Sequence, residues 1–91
     1  MVIKQIDIVE TAKRITDRIR EKDISYREIA LLLDISQQSV YKWEYCGRME
    51  RGIKSIPSIQ NMVKLSSILG CTVDDLIVTY DVEIEDKNAR Y

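Results

Sequence analysis

The chain has no histidine, no phenylalanine, one proline, three glycines and two cysteines among 91 residues. Without histidine it lacks the commonest general base and a principal metal ligand. Its cysteines, Cys46 and Cys71, form no CxxC pair. Metal sites built from Cys and His are therefore excluded, as is catalysis through a His base. A Gly-rich phosphate loop and a nucleophile–base pair are also lacking, so neither an enzyme nor a cofactor is expected. Two reduced thiols are the expectation rather than a disulfide, with Cys71 at a core position and Cys46 partly exposed. No stretch approaches the ~20 apolar residues of a membrane span. Residues 1–10 carry charges and no long apolar run, so a soluble, cytoplasmic protein with no membrane partner is expected. The scarcity of Pro and Gly leaves most of the chain free to be helical.

What is present is an apolar fraction of 45%, enough for one small domain. A domain of this size buries a modest share of its surface, so a partner subunit would help it. The net charge of −1 is unevenly spread. Residues 1–64 carry 12 Lys/Arg against 9 Asp/Glu, a net of +3, whereas residues 65–91 carry 2 against 6, a net of −4. A local positive face is all that binding a polyanion requires, because salt screens charges beyond roughly 8–10 Å.

Five helical segments can be placed from apolar spacing. The first covers residues 8–21, with Asp7 and Glu10 at capping-box spacing and Ile8, Ala12, Ile15 and Ile19 on one face. The second covers 26–33, with Ser25 and Glu28 as its capping box and Ile29, Ala30 and Leu33 as its buried stripe. Asp34 ends it, and Asp tolerates the left-handed conformation better than most residues. The third starts at the cap Ser36 and reaches about Tyr45. At ~100° per residue, Val40, Trp43 and Gly47 share one side, while Gln37, Gln38, Tyr41, Lys42 and Tyr45 share the other. A glycine-interrupted basic segment follows over 47–57, containing Arg48, Arg51 and Lys54. Ser58 caps a fourth helix over 59–69, ended by Gly70, with Met62, Val63, Leu65, Ile68 and Leu69 as core contacts. Thr72 and Asp75 open a short fifth helix, with Leu76 and Ile77 inward. Residues 79–85 then alternate Tyr80, Val82 and Ile84 against acids, a strand pattern. A lone strand must pair, and residues 2–7 or the same strand of a second subunit are the candidates. Residues 87–91 are expected to fray. The division expected is a domain over 1–78 and an acidic tail over 79–91.

Two short helices joined by Asp34-Ile35-Ser36 form the helix-turn-helix pattern. The run Ser25-Tyr-Arg-Glu-Ile-Ala-Leu-Leu-Leu-Asp-Ile-Ser-Gln-Gln-Ser-Val-Tyr-Lys-Trp-Glu44 resembles the lambdoid phage repressor and Cro family, known in bacteria as the xenobiotic-response-element type. The segments Pro57-Ser-Ile-Gln-Asn-Met-Val-Lys-Leu and Leu69-Gly-Cys-Thr-Val-Asp-Asp-Leu-Ile77 resemble its fourth and fifth helices. The resemblance implies an all-α, five-helix repressor-like DNA-binding domain, here with a short C-terminal strand. It implies a transcriptional regulator that binds double-stranded DNA, usually as a homodimer. Gln37 and Gln38 match positions that contact bases, and glutamine can bond adenine N6 and N7 together. Tyr41 and Lys42 match further groove-facing or phosphate-facing positions. Ser25 and Tyr26 match backbone contacts at a helix N-terminus, though Gln is usual at the position of Tyr26.

Three departures from the family stand out. The turn glycine is Asp34. Ile19-Arg20 aligns with the family's first-helix Leu-Arg pair only across a one-residue gap, which would let Arg20 pair with Glu44. The link over 45–56 is several residues longer than usual, and either extends the third helix or brings Arg48, Arg51 and Lys54 to the DNA backbone. A different class of function is a protein-interaction module, such as the antitoxin of a toxin-antitoxin pair using the same domain to hold a partner protein.

Overall fold

A computed structural model describes residues 1–85. It contains strand β1 (Val2–Ile6), helices α1 (Ile8–Glu21), α2 (Tyr26–Leu33), α3 (Gln37–Gly47), α4 (Ile59–Leu69) and α5 (Val73–Leu76), and strand β2 (Thr79–Glu83). The fold is mostly helical with one small two-stranded sheet. The fraying expected of residues 87–91 falls outside the described residues.

Each helix starts where a side chain can satisfy its free N–H groups. Asp7, Ser25, Ser36, Ser58 and Thr72 each accept a hydrogen bond from the backbone N–H three residues on. The four longer helices end alike, with a left-handed residue at Asp23, Asp34, Met49 or Gly70. In each, the next N–H reaches back five residues: Ile24 to Ile19, Ile35 to Ala30, Glu50 to Tyr45 and Cys71 to Ser66. That bond occupies a carbonyl the helix end would leave unpaired. Asp34 adopts the left-handed conformation its place in the sequence suggested, with φ 56°.

The core joins Ile15 and Ile19 of α1, Ile29 and Leu33 of α2, Val40 and Trp43 of α3, Met62, Leu65 and Leu69 of α4, and Leu76 of α5. Burying a large apolar side chain contributes ~1.5–3 kcal/mol, more than the ~1 kcal/mol of a cap. Val40 and Trp43 therefore set the rotation of α3, which packs most extensively on α1. Gly47 lies on that side too, where a Cβ would stand 3.0 Å from the Lys13 backbone.

Three expectations are corrected. Cys46 is fully buried, because α3 runs two residues past Tyr45 and carries it under α1. Ile8 and Val63 are exposed. The inward face of α1 instead uses Thr11, whose hydroxyl accepts from Val78 N–H at 3.0 Å, and Thr16, whose hydroxyl donates to Ala12 O at 3.2 Å. Both are buried polar groups with partners, which removes the desolvation penalty. Of the two candidate partners for the tail strand, the chain's own N-terminus is the one found. β1 and β2 pair antiparallel, from Val2 opposite Glu83 to Ile6 opposite Thr79.

Candidate nucleic-acid interface

Once Val40, Trp43 and Cys46 are inside, the rest of α3 has one side left for solvent. Gln37, Gln38, Tyr41 and Lys42 are all exposed there. Ser36 is occupied as a cap: its hydroxyl oxygen accepts from Ser39 N–H at 3.1 Å. Ser25 plays the same part for α2, accepting from Glu28 N–H at 3.1 Å. Its exposed position leaves the first turn of α2 open beside the α3 face.

A network of charges fixes α3 to its neighbours. Glu44 is mostly buried, with 15% of its side chain exposed. A carboxylate withdrawn from water needs partners, and three groups supply them. Arg20 Nη1 donates to Glu44 Oε1 at 3.1 Å. The Tyr26 hydroxyl donates to the same oxygen at 2.7 Å. Arg48 Nη2 lies 3.4 Å from Oε2. Arg20 also donates to Tyr26 Oη at 3.0 Å and, through Nη2, to Asp17 at 2.6 Å. The Arg20–Glu44 pair suggested by the sequence is thus present, and it links α1 to α3.

Tyr26 takes part in ways the sequence did not announce. Its hydroxyl is bound within the protein, and its ring meets Tyr41 edge-on at 5.2 Å and 79°. Tyr41 in turn lies 6.4 Å from Tyr45. Burial, then the hydrogen bond to Glu44 and the charge on that carboxylate, push the Tyr26 pKa up to about 12. Partial burial works to lower the pKa of Arg20, but its hydrogen bond to Asp17 and the nearby Tyr26, Asp17 and Glu44 groups outweigh this and raise it. The only signal for Tyr26 was its aromatic ring in a place where glutamine is usual.

The structure separates the three loop cations. Arg51 and Gly52 are the central residues of a turn closed by Ile53 N–H to Glu50 O at 3.1 Å. Both have positive φ, 56° and 66°, the mirror-image turn class. Arg51 stands beside the α3 face, lining a cleft with Gln38, Tyr41, Lys42, Tyr45 and Ile53. Arg48 is held by Glu44 and, at 3.9 Å, by Glu50. Lys54 lies at the base of the two-stranded ribbon formed by β1 and β2, near Ile6, Ile8 and Tyr80. The exposed α3 face and Arg51 therefore form one surface, polar and cationic with aromatic rings between.

A family model described as helix-turn-helix, of the lambdoid repressor and Cro type, matches residues 16–76. That match takes in α2, the turn, α3 and the long link after it. No curated protein and no solved structure matches the chain significantly. Among the described residues no helix is long and apolar enough to cross a membrane.

Proposed function

Because this chain belongs to the lambdoid repressor and Cro-like helix-turn-helix family, and so carries a DNA-binding regulatory domain, we propose that it is a sequence-specific repressor. In this reading α3 enters the major groove of its operator, whose dimensions suit an α-helix. The observation that carries the reading is the pairing of two surfaces on one helix. Val40, Trp43 and Cys46 are buried, and the opposite side offers Gln37, Gln38, Tyr41 and Lys42. Nothing in the core needs Gln37, Gln38 or Lys42, so they are free to meet base edges, while Tyr41 also packs edge-on against Tyr26.

Gln37 and Gln38, in the first turn of α3, are assigned to bases, and Tyr41 and Lys42 to bases or flanking phosphates. The first turn of α2, at Ser25 and Tyr26, is assigned to the phosphate backbone through its N–H groups. The Tyr26 hydroxyl, bound to Glu44, serves to hold α3 in place. Arg51 is the best placed loop cation for a phosphate. Arg48 would first have to leave its carboxylates, and Lys54 would reach DNA only beyond the α3 face. The reading places DNA binding in residues 1–78, leaves 79–91 as the acidic tail, and has the protein act as a homodimer.

Selection of bound duplexes from a random pool tests the proposal. One preferred site is expected, with affinity falling steeply as salt rises. Gln37→Ala should lose about 1–3 kcal/mol on that site and little on random DNA. Equal losses on both would remove base readout from Gln37, and failure to enrich any sequence would sink the reading.

A further inference from the structure

The register of the ribbon decides what each of its faces carries. Opposed residues share a face and successive residues alternate. One face therefore holds Ile3 with Val82 and Gln5 with Tyr80. Met1 and Ile84 extend it, the Ile84 N–H donating to Met1 O at 2.7 Å. The other face holds Val2, Lys4 and Ile6 against Glu83, Asp81 and Thr79, with Lys4 and Asp81 paired at 3.1 Å. The faces thus differ in charge: the first has no charged side chain, and the second carries all of them beside the exposed Val2 and Ile6. The neutral face has one polar side-chain pair, already closed by the Tyr80 hydroxyl donating to Gln5 Oε1 at 2.9 Å. Among the described residues that face is open except at the half-buried Val82, with Ile3 39%, Tyr80 48% and Ile84 40% exposed. A two-stranded ribbon is marginal in water unless its apolar face is covered.

We propose that a second copy of this chain covers it, neutral face against neutral face across a two-fold axis, and that the contact closes only on DNA. Charge argues for the second copy. A two-fold interface sets one patch against itself, which a neutral patch tolerates and a patch of one sign does not. The charged side chains of the ribbon strands, Lys4, Asp81 and Glu83, all lie on the opposite face, and the Met1 ammonium is paired with Glu83 at 3.3 Å. Area argues for the dependence on DNA. Each copy offers about half a dozen side chains, far below the roughly 20–30 residues a side of a stable interface. Such a contact holds two copies only where something else keeps them adjacent. On the function proposed above, on which this inference rests, two half-sites about one helical turn apart do so.

The experiment compares the full chain on a duplex carrying one half-site and a duplex carrying two. Free wild-type protein should sediment as a monomer, bind one half-site simply and fill two cooperatively. Ile3→Lys should bind one half-site as wild type does but fill the second roughly tenfold more weakly. Val2→Lys, on the same strand and the opposite face, should keep the cooperativity. If Ile3→Lys fails to fold, Ile3→Cys in a Cys71→Ser background should cross-link with a short bis-maleimide on the two-site duplex, and Val2→Cys should not. Normal binding to one half-site with independent filling of two overturns the ribbon contact alone. So does a free dimer that Ile3→Lys leaves intact, or a Val2→Cys cross-link as efficient as that of Ile3→Cys. No binding to either duplex overturns the DNA reading, and this inference with it.

Discussion

At Gly47 one added methyl group sets two effects against each other. Alanine is the better helix former by about 1 kcal/mol. Its Cβ, however, would lie 3.0 Å from both the Cα and the N of Lys13. Those are backbone atoms of a helix, so relief requires moving α1 and not one side chain, and overpacking of this kind costs ~1–3 kcal/mol. Gly47→Ala is therefore expected to lower stability by about 1 kcal/mol in denaturant unfolding. A gain would show that α1 yields. Gly47 was legible as part of the inward side of α3 from its spacing to Val40 and Trp43. Asp34 was likewise legible as the residue that leaves α2 in a left-handed turn. Met49 and Arg51 were not, because nothing local distinguishes a Met or Arg held at positive φ from one that is not.

Between elements, the group with the most consequence is Tyr26 of α2, bonded to Glu44 of α3 and Arg20 of α1. Its folded pKa, pushed up to about 12, lies above the ordinary value of 10.0. The folded state thus holds the phenolic proton more tightly than the unfolded chain does. The stability this contributes is complete below pH 10 and is lost as pH rises from 10 towards 12. A spectrophotometric titration is expected to find a late-ionising phenol that Tyr26→Phe removes. If the phenol lost in Tyr26→Phe instead ionises near the ordinary value of 10.0, the hydroxyl is not held by Glu44. Sequence reasoning reached the Arg20–Glu44 half of this network through the family pattern. It missed the Tyr26 half, because a hydroxyl's partner depends on how α2 crosses α3. It also placed Ile8 and Val63 inside. Periodicity identifies the apolar side of a helix but not how much of that side a neighbour covers.

For the molecule as a whole, charge separates the cationic part that holds α2, α3 and the long link from the acidic part after α4. Arg51 is where the link meets the proposed DNA face, its turn tip bordering the same cleft as Gln38 and Lys42. Arg51→Ala is expected to weaken specific and random binding alike and to lower the slope of log affinity against log salt by about one contact. An unchanged slope would take the link out of the interface. Lys54→Ala, on a cation at the base of the ribbon, should change that slope less.

The sequence by itself determined the positions of the five helices, their caps, the buried stripe of α3 and the polar side opposite it. All of these follow from spacing and end chemistry within a few residues. It determined the family as well, because the helix-turn-helix is continuous in the chain. Tertiary structure alone decided that the tail strand pairs with the N-terminus, that Cys46 is sealed beneath α1, and that Tyr26 braces α3. It also decided that Arg51 and Lys54, three residues apart, end up in different places. Each of those outcomes depends on which distant segment lies against the residue, and that information is carried by packing and not by local pattern.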